Sequence, residues 1–125
     1  MKVIKRTLLQ KECSRCGEMK NNKEYFRGKG SSTFCIKCEE KRQREKHYKS
    51  KYGMTISDYD AVLENQNGKC AICEETKDKL LNIDHDHTTG KIRGLLCNSC
   101  NTALGLFQDK EEVIKRACLY LGKNK

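Results

Sequence analysis

The first half of the chain has few apolar positions. Residues 39–51 read Glu-Glu-Lys-Arg-Gln-Arg-Glu-Lys-His-Tyr-Lys-Ser-Lys, with no Gly, no Pro and almost no apolar side chain. Such a charged run is typical of a solvent-exposed helix, here continuing from the preceding cysteine, or of a linker. Gly53 is expected to end the segment. His47 lies within it, and the simplest interpretation is an exposed histidine beside basic neighbours.

The following segment has the period of an amphipathic helix. Residues 55–66 carry apolar side chains three or four positions apart, which predicts a helix with one face packed in a core. This stripe consists of Ile56, Tyr59, Val62 and Leu63. Thr55 and Asp58 are suited to cap the N-terminus, and Gly68 is suited to stop the helix.

Two short apolar runs then predict a β-hairpin. Residues 80–84 and 92–96 read as strands, and Thr-Thr-Gly-Lys at 88–91 reads as the turn between them. A helix is predicted over 98–107. The order strand, turn, strand, helix therefore describes this part of the chain.

The last segment, 109–122, predicts a short helix. Asp109 followed by Glu112 forms a capping box, and Gly122 supplies a stop. Three apolar side chains share one face of this helix, namely Ile114, Cys118 and Leu121. Cys118 is accordingly expected to be a small core residue with no chemical role.

The composition indicates that burial of apolar side chains alone does not stabilise this fold. The chain has 125 residues, of which 36% are hydrophobic and 34% charged, with no Trp and nine cysteines. A chain this short and polar needs disulfide bonds or bound metal ions for stability. Eight of the cysteines form four Cys-x-x-Cys pairs: Cys13/Cys16, Cys35/Cys38, Cys70/Cys73 and Cys97/Cys100. Paired in this way they predict two four-thiolate sites, each holding a structural Zn²⁺.

Charge is distributed unevenly between the two halves. The formal net charge is +9, yet residues 1–50 hold 15 basic and 6 acidic side chains and residues 51–125 hold 11 of each. A basic half indicates an anionic partner such as nucleic acid, although a solvated basic face remains open. No apolar run reaches the length of a membrane span, and the N-terminus has no signal-peptide core. We therefore expect a cytoplasmic protein with no membrane partner.

Four ionisable residues follow one another where the first hairpin strand ends: Asp84, His85, Asp86 and His87. An exposed turn tolerates such residues, but alternating Asp-His pairs are unusual turn chemistry. They offer oxygen ligands for a hard cation and imidazoles that titrate near neutral pH. Asn101 follows Cys100 on the predicted helix, so a shared zinc site would bring it towards Asp84.

Three motifs around the last two cysteine pairs carry a family resemblance. They are Asn67-Gly-Lys-Cys-Ala-Ile-Cys73, Ile83-Asp-His-Asp-His87 and Gly90-Lys-Ile-Arg-Gly-Leu-Leu-Cys-Asn-Ser-Cys-Asn101. In this order they resemble the phage recombination endonuclease VII family, within the His-Asn-His superfamily of ββα-metal nucleases. The resemblance runs from about residue 56 to residue 105. It implies hydrolysis of DNA phosphodiester bonds.

The resemblance also implies roles for individual residues. Asp84 and Asn101 match the ligands of a catalytic Mg²⁺ or Mn²⁺, and His85 matches the general base. The last four paired cysteines match the structural zinc ligands. Asp86 or the backbone would orient the imidazole of His85, while His87 and Arg93 are either phosphate contacts or exposed hairpin residues.

Some features depart from the family pattern. Leu104 stands where the phage resolvase carries an acidic residue, and no counterpart of its long C-terminal dimerisation region follows. We therefore expect hydrolytic chemistry to carry over better than junction resolution. Residues 1–50 resemble the small zinc modules that precede nuclease domains in phage-encoded relatives. A phage or prophage protein in a bacterial host is implied, as a monomer or homodimer.

The resulting prediction is a small zinc-stabilised α+β protein with two parts. Residues 1–50 form a basic zinc ribbon or knuckle with a helical linker, and residues 51–125 form a ββα-metal endonuclease domain with flanking helices. The first part would hold duplex, nicked or branched DNA through its phosphates. Its candidate contacts are Arg27, Lys29, Lys37, Lys41, Arg42, Arg44 and Lys46. Alternatives are a non-catalytic zinc-containing DNA- or RNA-binding protein and, more remotely, a thiol redox or metal-storage protein.

Overall fold

The computed structural model describes residues 10–21 and 34–123, which form small antiparallel hairpins and four helices. The chain divides into two compact units between Ile56 and Ser57. This division lies six residues after the boundary predicted at residue 50. Arg27 and Lys29, predicted as phosphate contacts, lie outside the described residues. In the described ranges, no helix combines the length and apolarity needed to cross a bilayer.

The first unit contains a hairpin with a cysteine knuckle. Strands β1 (Gln10–Glu12) and β2 (Met19–Asn21) pair antiparallel, with the Cys13 pair in the loop between them. The Cys13 N–H donates to the Glu18 carbonyl at 2.9 Å. Gly17 has φ +71° and donates its N–H to the Cys13 carbonyl at 2.8 Å, a left-handed turn that glycine adopts without strain.

Helix α1 (Ile36–Tyr52) starts directly at the second knuckle. Cys35 occupies the N-cap position with extended backbone, and Gly53 ends the helix in the left-handed conformation, as predicted. The polar run 39–51 is therefore a helix, which begins earlier than the run itself. Most of its side chains are exposed, including His47, whereas Glu39 and Tyr48 are buried.

The second unit contains almost all of helix α2 (Ile56–Asn65), whose apolar stripe is confirmed. Tyr59 is fully buried, and its hydroxyl donates to the Leu81 carbonyl at 2.8 Å. Gly68 stops the helix with φ +71° by donating its N–H to the Leu63 carbonyl at 2.9 Å.

The predicted strand, turn, strand, helix order is confirmed. Strands β3 (Asn82–His85) and β4 (Ile92–Leu96) pair antiparallel, and helix α3 (Asn98–Leu106) packs against both. β3 begins at Asn82, two residues later than predicted, and Leu80 remains 57% exposed. Four buried apolar side chains of this hairpin segment form the core with Tyr59: Leu81, Ile83, Leu95 and Leu96.

Helix α4 (Glu111–Lys123) differs from its prediction at both ends. Asp109 has φ +56° and lies before the helix, so the predicted capping box with Glu112 does not start there. Gly122 lies within the helix and does not stop it. Ile114 is half-buried, but Cys118 and Leu121 are exposed, so the predicted core role of Cys118 is wrong.

Candidate functional site

Two four-cysteine clusters stand at the starts of α1 and α3. In each cluster the four sulfur atoms lie within 4.8 Å of one another. The members are Cys13, Cys16, Cys35 and Cys38 in the first unit, and Cys70, Cys73, Cys97 and Cys100 in the second. The Sγ atoms of Cys16 and Cys35 are 3.9 Å apart, as are those of Cys73 and Cys97. Tetrahedral zinc with Zn–S bonds of about 2.3 Å separates its sulfurs by about 3.8 Å.

Backbone N–H groups point at the most buried sulfur of each cluster. The Cys35 N–H lies 3.3 Å from Cys13 Sγ, and the Cys97 N–H lies 3.3 Å from Cys70 Sγ. Backbone donors from Cys16 and Cys35 lower the pKa of Cys13 to about 6. Burial acts to raise the pKa of Cys70, but backbone donors led by the Cys97 N–H outweigh it and lower that pKa to about 6. Each cluster thus favours one thiolate.

In each cluster the last cysteine is held back from ionising by its surroundings. A hydrogen bond with Cys35 raises the pKa of Cys38 to about 12, and burial followed by a hydrogen bond with Cys97 raises the pKa of Cys100 to about 12. Crowded sulfurs cannot all carry negative charge without a cation among them. The donor number, the sulfur spacing and this crowding all suit a tetrathiolate Zn²⁺ site.

The two knuckles share their backbone geometry. In the second, the Cys70 N–H donates to the Glu75 carbonyl at 3.1 Å, and the Glu74 N–H donates to the Cys70 carbonyl at 3.0 Å. Glu74 has φ +59°, the conformation that Gly17 adopts in the first knuckle. The second knuckle therefore places a non-glycine residue in the left-handed region.

Asp84 is the buried carboxylate of the hairpin, with 8% of its surface exposed. Arg93 donates to both of its oxygens, from Nε at 2.6 Å and from Nη2 at 2.9 Å. This bidentate pair raises the pKa of Arg93. The predicted cation ligand is therefore paired with a guanidinium, and Arg93 turns towards Asp84 while staying about one-third exposed.

The pair exists because of a β-bulge. Gly94 lies opposite Asp84 and Ile92 lies opposite His85, so Arg93 is an extra residue on β4. A bulge of this kind changes the direction of a side chain relative to regular strand alternation. No simple alternation of apolar and polar residues marks its position in the sequence.

His85, the predicted general base, follows Asp84 at the end of β3. It is half-buried, and its ring meets that of the exposed His87 edge-on, with centroids 4.7 Å apart. Asp86 Oδ1 accepts the backbone N–H groups of Thr88 at 2.7 Å and Thr89 at 2.9 Å. Asp86 thus stabilises the turn through Oδ1, and its orientation of the His85 imidazole stays a prediction.

Asn101 is held near the hairpin by the second cluster. The Cys97 side chain accepts the Cys100 N–H at 3.5 Å, and the Asn101 N–H donates to the Cys97 carbonyl at 3.0 Å. Asn101 is half-buried in the first turn of α3, the helix that packs on β3. Its amide oxygen and the carboxylate of Asp84 are hard donors of the kind that Mg²⁺ and Mn²⁺ prefer.

The predicted basic contacts on α1 differ in their surroundings. Lys41 is exposed to solvent. Arg42 forms a bidentate pair with the buried Glu39, at 2.9 and 2.6 Å, which lowers the pKa of Glu39. Arg44 is half-buried, and its Nε atom has no hydrogen-bond partner among the described residues.

Two residues that position parts of the site were not predicted from the sequence. Gln66 forms hydrogen bonds with both backbone groups of Leu95, and Asp109 Oδ2 lies 3.3 Å from Arg93 Nη2. Gln66 lies at the end of a predicted helix, and Asp109 resembled a helix cap. Neither carries a local signal for a contact made across the fold.

Two phage proteins and one solved structure are similar to this chain. The Gene 59 proteins of Mycobacterium phages D29 and L5 are each 48% identical to this chain, over 75 and 73 residues, covering 58% and 56% of it. The chain spans less than half of each relative, 46% and 44% of their lengths. A solved structure titled as the ββα-Me type II restriction endonuclease Hpy99I aligns with a TM-score of 0.42 and 24% identity, over 93% of this chain and 66% of that one.

The family match is broader than the sequence motifs. Residues 45–123 match the recombination endonuclease VII family, including α4 and the end of α1. The matched segment contains the second cysteine cluster, Asp84, His85 and Asn101. Because it covers more than half of the chain, this protein belongs to the recombination endonuclease VII family.

Proposed function

We propose that this protein is a metal-dependent DNA endonuclease that hydrolyses phosphodiester bonds. The observation that carries the proposal is the arrangement of a buried Asp84 and a half-buried His85 at the end of β3, beside a helix anchored by a four-cysteine cluster. Family membership supplies the reaction class. The host would be a bacterium, with the protein acting in its cytoplasm.

Asp84 and Asn101 would hold the catalytic cation. Both carboxylate oxygens of Asp84 accept hydrogen bonds from the positively charged guanidinium of Arg93. The site is therefore suited to a cation, and its oxygen donors favour Mg²⁺ or Mn²⁺ over a thiophilic metal. When bound, such an ion would stabilise the negative charge that develops on the phosphate and the leaving oxygen.

His85 would act as the general base. A neutral imidazole can accept a proton from water as the water attacks phosphorus, which increases its nucleophilicity. Its position beside Asp84 at the strand end would keep the proton acceptor close to the phosphate. His87 and Arg93 are proposed phosphate contacts because both are exposed and line the same cavity.

The first unit would hold DNA. Helix α1 carries exposed Lys41 and Lys46, together with Arg42, which pairs with Glu39, and the half-buried Arg44. Phosphate contacts from these side chains supply affinity without sequence readout. Duplex, nicked and branched DNA could all bind through such contacts. The protein would act as a monomer or a homodimer.

The test is plasmid cleavage. Zinc-loaded protein is incubated with supercoiled plasmid and Mg²⁺ or Mn²⁺, and nicked and linear products are quantified. His85→Ala is expected to lower the rate by about 10²–10⁴, the usual contribution of a general base. His47→Ala is the matched control because His47 is exposed on α1 and has no proposed role.

Elemental analysis and a DNA-binding assay accompany the cleavage assay. Elemental analysis before and after chelation separates loss of the catalytic cation from loss of zinc. An intact plasmid in every metal, or equal cleavage by His85→Ala, contradicts the endonuclease proposal. DNA binding without cleavage would instead favour the non-catalytic nucleic-acid-binding alternative.

A further inference from the structure

The bidentate pair of Arg93 with Asp84 occupies the oxygens that a divalent cation would need. Nε and Nη2 of Arg93 take one oxygen each, at 2.6 and 2.9 Å. Each oxygen keeps a second lone pair, but the guanidinium holds a positive charge against both oxygens and would repel a divalent cation bound to the same carboxylate. The two cations are therefore competitors for one carboxylate.

The bulge on β4 is what makes this competition possible. Gly94 and Asp84 are directly opposite, and regular alternation would turn the side chain next to Gly94 to the other face of the hairpin. Arg93 is the extra residue, so the bulge directs its side chain towards Asp84.

Arg93 has a second acceptor outside the pair. Asp109 Oδ2 lies 3.3 Å from Nη2, and the Asp109 side chain is 27% exposed compared with 10% for Asp84. Gln108 and Asp109 both adopt left-handed backbone, with φ +54° and +56°. A hydrogen bond from the Asp109 N–H to the Leu104 carbonyl at 3.0 Å keeps this turn in place.

Open space adjoins the second acceptor. A cavity of about 430 Å³ reaches from Arg93 and Asp109 to the hairpin turn. Its other lining residues are Asp86, His87, Thr88, Gly105 and Gln108. A guanidinium that leaves Asp84 can therefore move into this cavity while it keeps its contact with Asp109.

We propose that Arg93 is a displaceable counter-ion for the cation site, with Asp109 as its alternative acceptor. Without a divalent cation Arg93 neutralises the buried Asp84. A cation held by Asp84 would leave Arg93 to Asp109 and the cavity, where the remaining guanidinium donors would be available to a DNA phosphate. This inference rests on the proposed endonuclease function, because it assumes that Asp84 binds the cation.

The test measures Mn²⁺ affinity of the zinc-loaded protein by isothermal titration calorimetry, without DNA. Arg93→Gln removes the competitor, so Mn²⁺ is expected to bind about five-fold tighter or more. Arg93→Lys retains the charge but loses the two-point contact, so its affinity is expected to be intermediate. Asp109→Asn removes the alternative acceptor and is expected to weaken Mn²⁺ binding.

Two controls separate displacement from a general charge effect. Lys91→Gln removes one positive charge from an exposed position of the same hairpin and is expected to leave Mn²⁺ affinity near that of the native protein. Asp84→Asn identifies the site, and its Mn²⁺ binding should be lost. Circular dichroism and zinc content verify that each variant is folded.

The proposal is overturned if Arg93→Gln binds Mn²⁺ no tighter than Lys91→Gln, or if Mn²⁺ binding survives in Asp84→Asn. A cleavage assay then tests the phosphate contact. Arg93→Gln should cleave more slowly although it binds Mn²⁺ more tightly, and faster cleavage would refute that contact. Loss of cleavage in His85→Ala tests the endonuclease function separately, since it does not depend on whether Arg93 competes with Mn²⁺ for Asp84.

Discussion

The side-chain amide of Gln66 pairs with the backbone of Leu95 as a neighbouring strand would. Oε1 accepts the Leu95 N–H at 2.9 Å, and Nε2 donates to the Leu95 carbonyl at 2.9 Å. Nε2 also donates to the Lys69 carbonyl at 2.8 Å. Gln66 therefore joins the end of α2, the approach to the second knuckle and the middle of β4.

Gln66→Ala is expected to lower the free energy of unfolding by about 1–3 kcal/mol, since it removes the acceptor of the buried Leu95 N–H, while the Leu95 carbonyl keeps the Ala71 N–H at 3.1 Å. Urea denaturation measures the loss, and Asn65→Ala, at the exposed last residue of α2, is the control. A Cβ on Gly94 would meet Gln66 Oε1 at 3.1 Å. Gly94→Ala should therefore lower the free energy of unfolding less in the Gln66→Ala background than in the native protein. Equal stabilities of Gln66→Ala and Asn65→Ala would contradict this role.

Removal of one zinc ligand should unfold the second unit. Cys70 is buried and receives the Cys97 N–H, so Cys70→Ser removes a ligand at the centre of its cluster. Because structural zinc contributes on the order of 10 kcal/mol to folding, the variant is expected to lose the second unit's structure and to bind one zinc instead of two. Elemental analysis and circular dichroism measure both effects.

Cys118→Ser is the matched control for that experiment. Cys118 is exposed and lies outside both clusters, so its replacement should leave the zinc content and the fold unchanged. A native protein with one zinc per chain would refute the model of two sites.

Asp86 should stabilise the hairpin turn in a pH-dependent manner. Backbone N–H groups of Thr89 and Thr88 lower the pKa of the Asp86 carboxyl below its usual value of 3.8. A depressed folded-state pKa gives stability that is complete above the unfolded-state pKa and is lost as the pH falls through the lower folded-state value. The contribution should therefore be constant near neutral pH and decline below about pH 4.

Asp86→Ala is expected to lower the thermal midpoint at pH 7, whereas Asp86→Asn keeps an acceptor oxygen and should retain most of the stability. The acid-dependent component should be absent from both variants. If Asp86→Ala leaves the midpoint unchanged and shifts only the pH profile of cleavage, Asp86 orients the catalytic imidazole and does not serve the turn.

Neutralising exposed lysines on α1 should weaken DNA binding in a salt-dependent way. Lys41→Gln and Lys46→Gln are each expected to reduce affinity uniformly across DNA sequences and to reduce the slope of log K against log salt by about 1. Fluorescence anisotropy with a labelled duplex measures both quantities. Lys115→Gln on α4 is the control, because Lys115 pairs with Glu111 at 2.8 Å. An unchanged slope in both α1 variants would exclude Lys41 and Lys46 from DNA contact.

Local sequence patterns determined much of the fold. The Cys-x-x-Cys spacing specifies both clusters because two intervening residues let both sulfurs turn towards one metal. The stripe around Tyr59 and the left-handed stop at Gly68 define α2, since helix period and helix termination depend on neighbouring residues. The hairpin and the start of α3 follow from the same kind of short-range signal.

The contacts that shape the candidate site depend on the tertiary structure. Arg93 reaches Asp84 only because a bulge alters the register of β4, and a bulge has no periodic signature in the sequence. Asp109 has the local features of a helix cap, yet the folded chain places its carboxylate beside Arg93. Sequence thus determined which elements form and which residues can bind metal. The fold decided which charged groups meet, because pairing across the chain depends on register and packing that no local pattern records.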